Sequence, residues 1–110
     1  MNDELHQQVV QQCARLIQKD HIEHEDIIRF LQKAKDPYSI PFIRQAIELK
    51  PRLRYLAYDD YGSYYKKCFW ALRDIGTPEA IAIIREYTAS DIEAACKEAV
   101  YRISKIKRGL

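Results

Sequence analysis

DPYSIPFIR at residues 36–44 and TPEAIAIIR at residues 77–85 decide the fold. Each sets a capping side chain, Asp36 or Thr77, directly before a proline. Such a side chain accepts a hydrogen bond from a free N–H at a helix start. Proline suits the first helical position, where its missing N–H costs nothing. Aligned at an offset of 41 residues, the two stretches share Pro, Ile, Ile and Arg at four of nine positions. Pro41 follows Pro37 too closely for one regular helix, so either the first turn is irregular or the main helix starts near Pro41.

A second apolar helix follows each stretch: YYKKCFWALRDIG (64–76) and ACKEAVYRISKIK (95–107). Leu72 and Ile75 match Ile103 and Ile106, now at an offset of 31. Helix pairs recurring along a chain are the mark of a solenoid, because one pair cannot bury its apolar faces alone. Upstream, Leu5, Val9, Cys13, Leu16 and Ile17 step by three and four along one helical face, and Ile27, Ile28, Leu31 and Ala34 do the same. The link KDHIEH (19–24) between them is short, which predicts an antiparallel pair. Acids near Asp26 suit the first turn of the second helix, where they meet the helix dipole. The expected organisation is one all-α domain of about six helices: a helix pair over 1–35, a repeat with an insertion over 36–76, and a second repeat over 77–110.

The motifs DPYSIPFIRQAIEL and IGTPEAIAIIREY, closed by CKEAVYRISKIK, resemble bacterial HEAT-like repeats. These open on Asp-Pro or Thr-Pro and an apolar pair, and close on a helix ending in Leu or Ile before Gly. The resemblance covers residues 36–108, about two repeats, with the N-terminal pair as a degenerate or capping repeat. It departs from the family between the helices of a pair. TASD (88–91) approximates the family's short Asp-rich turn, whereas the first repeat has none. The resemblance implies a short α-solenoid and carries no chemistry with it.

The totals agree with a single soluble domain. The chain has 110 residues, 31% of them charged and 47% hydrophobic, with a net charge of +2. Residues 1–35 hold five bases and six acids, residues 36–76 seven and five, and residues 77–110 six and five. No segment is basic enough to demand nucleic acid. No apolar run approaches the roughly 20 residues of a membrane span. MNDELHQQ is acidic and polar, unlike a secretory leader. Cys13, Cys68 and Cys96 are odd in number and far apart, which predicts free thiols and a cytoplasmic location.

The two offsets differ by ten, so the first repeat carries about ten extra residues, within KPRLRYLAYDDYGSYY (50–65). Residues 55–70 also hold five of the eight tyrosines and the only tryptophan. Insertions confined to one repeat map to one face, often the binding face. Tyrosine brings rigid contact area with a polar tip. Tyr55, Tyr58, Asp59, Asp60, Tyr61 and Tyr64 are therefore the candidate partner-binding residues, with the aspartates as acceptors for a basic partner. Cys68, Phe69, Leu72 and Ile75 fall on core spacing, and Trp70 and Tyr65 can join them. If the insertion is not the site, the last helix around Glu93, Lys97 and Tyr101 is the next candidate.

Other constellations fail on spacing. His21-Ile-Glu-His24 lacks the i, i+4 histidine pair of a zinc protease helix, so no metal is expected. There is no phosphate loop, Cys-x-x-Cys or nucleophile elbow, and no catalytic residue or cofactor is assigned. Arg102, Lys105, Lys107 and Arg108 make a basic tail, but Glu86, Asp91, Glu93 and Glu98 interleave with it. A solvated last helix with cations at its C-terminus is the simpler account. The expected function is non-catalytic protein binding. For small bacterial proteins of this kind, it is read as immunity: an inhibitor covering a toxin domain, such as a nuclease, to whose basic site acids are complementary. The alternatives are an adaptor or assembly factor, and a nucleic-acid-binding HEAT-like protein.

Overall fold

The computed structural model describes residues 3–49 and 61–107. Six α-helices follow one another: α1 (Asp3–Leu16), α2 (His24–Ala34), α3 (Ile40–Leu49), α4 (Gly62–Ile75), α5 (Pro78–Tyr87) and α6 (Glu93–Lys107). Among the described residues there is no strand. A 3₁₀ turn, Pro37–Ser39, leads into α3. That turn settles the two-proline problem, since the irregular first turn lets Pro41 sit inside the first turn of α3.

The two repeat starts are built alike. Asp36 accepts from the Tyr38 N–H (3.0 Å) and Thr77 Oγ1 from the Ala80 N–H (3.2 Å). Asp36 is buried, which alone would raise its pKa. The Tyr38 N–H and His6 Nδ1, 2.5 Å from its Oδ2, hold it below the usual carboxylate value instead. Helix α4 ends on Gly76 at φ 72°, whose N–H returns to the Leu72 carbonyl. A Cβ is unfavourable in this left-handed conformation, so glycine is the natural stop.

Helices α1, α3 and α5 contact in sequence and form one layer; α2, α4 and α6 form the other. Each helix also packs on its pair-mate across the layers. The Cα extents, 36 × 36 × 17 Å, are those of a slab two helices thick, as layers about 8–10 Å apart require. One continuous core runs between the layers. Ile43, Ile47, Leu72 and Ile84 are fully buried, Ile103 is buried, and Ile75 and Ile106 pack half-buried against them.

The ten extra residues of the first repeat divide in two. The 3₁₀ turn with α3 spans thirteen residues (37–49) against ten in α5 (78–87), and the connection spans twelve (50–61) against five (88–92). Cys13, Cys68 and Cys96 are unpaired. Burial pushes the Cys13 thiol up to about 12 and raises that of Cys68 as well.

Candidate functional site

The two most exposed aromatic side chains among the described residues, Trp70 and Tyr101, lie on α4 and α6; Tyr38, 40% exposed, lies on the 3₁₀ turn before α3. Along α4, burial follows Tyr64, Tyr65, Cys68, Phe69, Ala71 and Leu72. Trp70 falls outside this stripe and is 42% exposed. Along α6 the buried positions are Ala95, Ala99, Arg102 and Ile103. The two alanines allow α6 to approach α4 closely. Tyr101 and Val100, on the opposite side of the helix, are 49% and 50% exposed.

Arg102 joins the two aromatics. It occupies a core position of α6, so its aliphatic stem is buried and the residue is only 8% exposed. Its guanidinium carbon lies 4.8 Å from the Trp70 ring centroid and 5.5 Å from that of Tyr101. Lys105 Nζ lies 5.4 Å from the Tyr101 centroid. Four side chains thus alternate ring and cation across the seam between two helices. Contacts of this kind are worth about 0.5–2 kcal/mol each and hold the rings in place.

Charge is divided between the layers. Helices α2, α4 and α6 carry nine bases and five acids (+4), whereas α1, α3 and α5 carry three bases and five acids (−2). Several bases of the positive layer are already matched: Lys67 with Glu25 (2.7 Å), Arg73 with Asp74 (3.2 Å) and Lys97 with Glu93 (3.6 Å). Among the described residues of this layer with placed side chains, Arg29, Lys33, Lys66, Arg102 and Lys105 have no such partner. Arg102 also makes no hydrogen bond, although Glu98 stands one helical turn away at a pairing distance in sequence.

The opposite layer has a groove of about 400 Å³ lined by Arg44, Glu48, Glu86, Tyr87 and Asp91. Four of these polar groups pair with one another. Arg44 pairs with Glu86, and the Tyr87 hydroxyl donates to Glu48 (2.6 Å). Burial, with Glu48 beside it, raises the Tyr87 pKa. A shallower apolar hollow of about 320 Å³ adjoins it, lined by Ile17, Gln45 and Leu49, where the connection to α4 departs.

Of the residues expected to bind a partner, Tyr55, Tyr58, Asp59 and Asp60 lie outside the described residues. Tyr61 precedes α4, half-buried, with its ring edge-on to Tyr64. Tyr64 corrects the expectation. It is fully buried, and its hydroxyl donates to the Ala46 carbonyl at 2.8 Å. That carbonyl belongs to the last turn of α3, where helical acceptors lack partners within the helix. Tyr64 therefore ties α4 back to α3. Tyr65 joins the core as expected, but Trp70 does not. The missed signal is its spacing, one residue past Phe69 and off the i, i+3, i+4 stripe.

His21 and His24 stack at 4.1 Å, and each is engaged at the end of α1. His21 Nδ1 accepts from the Glu23 N–H, so its Nε2–H donates to the Arg15 carbonyl (2.6 Å). His24 Nε2 donates to the Gln18 carbonyl (2.5 Å). Among the described residues, no group of three or more His, Cys, Asp or Glu is placed to hold a metal ion. No described helix is long and apolar enough to cross a membrane. Comparison with known proteins finds no matching family model, curated protein or solved structure.

Proposed function

We propose that this chain is a non-catalytic protein-binding module, a short HEAT-like slab that presents the α4–α6 face to its partner. The observation that carries the reading is the preformed cluster of Trp70, Tyr101 and Arg102 on a rigid helical seam. Trp, Tyr and Arg are the residues enriched at binding hot spots. Rings held by neighbouring cations lose little conformational freedom on binding, which lowers the cost of association. The rest of the reading follows the sequence. A small repeat scaffold supplies area and rigidity, and the aromatic insertion after α3 offers a second contact. Immunity against a toxin domain is the biological setting proposed for such a stoichiometric binder.

The test is a double substitution, Trp70→Ala with Tyr101→Ala, read against a purified partner in a titration. Truncating a hot-spot residue costs about 2 kcal/mol or more, roughly thirtyfold in affinity. The double variant is expected to lose at least that factor while circular dichroism shows it still folded at the assay temperature. Native affinity in the double variant would remove the α4–α6 face from the interface.

A further inference from the structure

Arg102 is a charge without a counter-charge. The residue is only 8% exposed and its guanidinium nitrogens still reach solvent; among the described residues no acid and no side-chain hydrogen bond meets them. A guanidinium edge in water is open to a carboxylate partner that can use its donors. The neighbouring bases found such partners: Lys67, Arg73 and Lys97 each lie within 4 Å of a carboxylate. We infer that the Trp70–Arg102–Tyr101 cluster is a recognition site for one carboxylate of a partner protein, an Asp or Glu side chain flanked by apolar residues. This rests on the proposed reading as a protein-binding module.

Three features select that chemistry. The guanidinium is over both rings, so its edges, with a planar set of N–H donors, are what remain for a ligand, and that edge matches a carboxylate fork. The surroundings are apolar, with Trp70, Tyr101 and Val100 all about half-exposed, which suits side chains adjacent to the acid. The unpaired cations are also few. Lys105 and Lys66 are the other bases on α4 and α6 without a carboxylate among the described residues with placed side chains. Acids Glu93 and Glu98 share α6 with them. A polyanion such as single-stranded nucleic acid needs a continuous track of bases with stacking rings. A single desolvated acid with cations at its side fits this face better.

The probe is an immobilised library of short peptides of random sequence, presented to the intact chain. Trp70 is the only tryptophan, so its fluorescence reports the site directly. Selected peptides are expected to be enriched in Asp or Glu beside apolar residues, and to shift Trp70 emission. Replacing that acid by its amide, or Arg102→Met in the protein, should weaken binding about ten- to hundredfold, as loss of a charged hydrogen-bonded pair does. The two changes together should cost little more than either alone. Arg102→Lys, which keeps the charge and loses the fork, should fall between. Arg102→Met keeps the stem and loses the two ring contacts, so it should remain folded by circular dichroism with a melting temperature lowered by no more than those contacts account for. Enrichment without acids, or equal binding by Arg102→Met, would overturn the inference. Preference for oligo(dT) abolished by Arg102→Met would overturn it in favour of nucleic acid. Peptides that bind without moving Trp70 emission would end this site and leave the protein-binding reading standing. A library that yields no bound peptide would count against both.

Discussion

Tyr64→Phe separates packing from binding in the tyrosine-rich stretch. The substitution removes one oxygen and keeps the ring. In the native chain that oxygen donates to the Ala46 carbonyl at 2.8 Å inside the core, with no exposure. Burial foremost, with Cys68 beside it, raises the Tyr64 pKa, so the phenol stays protonated as a donor. An intramolecular hydrogen bond is worth about 0.5–1.5 kcal/mol net, and a buried acceptor left without its donor costs about 1–3 kcal/mol. The Ala46 carbonyl stands in the last turn of α3, so the second figure applies in part. The expected loss is about 1–2 kcal/mol. Urea denaturation measures it as a midpoint shift of about 0.5–1 M at unchanged slope, for a slope near 2 kcal/mol/M. Tyr101→Phe is the control, because that exposed ring should change stability by less than about 0.5 kcal/mol. A Tyr64→Phe variant as stable as the native chain would show that the hydroxyl does not join α4 to α3. Lost affinity at native stability would return Tyr64 to the interface.

Two further outcomes follow from the core and from the histidines. Leu72→Ala should cost about 2–5 kcal/mol by calorimetry or urea titration, because Leu72 is fully buried where α4 meets its neighbours; a loss below about 0.5 kcal/mol would place it at the surface. Burial lowers the His24 pKa from 6.5 despite its bond to the Gln18 carbonyl, so the folded chain binds this proton less readily than the unfolded one. Stability is therefore complete above about pH 7 and falls as pH drops below 6.5, with a limiting slope of about 1.4 kcal/mol per pH unit from this one group. His24→Gln should flatten that slope between pH 7 and 5.5, and an unchanged slope would assign it elsewhere.

Much of the architecture was legible because its signals are local. Asp36-Pro37 and Thr77-Pro78 announce helix starts through backbone groups within three residues, and Gly76 announces a stop through its own φ. The repeat offsets carried the pairing of helices, and the ten-residue excess located the insertion. The division of that excess was not legible. Three residues went into a 3₁₀ extension of the first helix, which requires knowing how Pro41 is accommodated. Tyr64 was misassigned for a different reason. Its neighbours in sequence belong to the insertion, but its Cβ points along the stripe of Tyr65, Cys68 and Leu72, and periodicity outranks proximity on a helix.

Arg102 shows how a site can hide in a regular pattern. Positions 95, 99, 102, 103 and 106 trace one face of α6, and four of the five are Ala or Ile. Read by periodicity, the fifth belongs in the core; read by chemistry, it belongs in water. Assigning it to a solvated basic tail resolved the conflict by discarding the spacing. The structure keeps both, with the stem in the core and the guanidinium against Trp70. Snorkelling of this sort is ordinary for a long cationic side chain. The unusual part is that snorkelling ends short of any acid among the described residues, whereas the other α4 and α6 bases with placed side chains are paired with carboxylates or less buried than Arg102. A core-spaced cation with no acid beside it among the described residues suits compensation by a ligand. The proposed binding face therefore centres on a cation of the last helix rather than on the acids of the insertion. This also reverses the charge expected of the partner at this face, from basic to acidic.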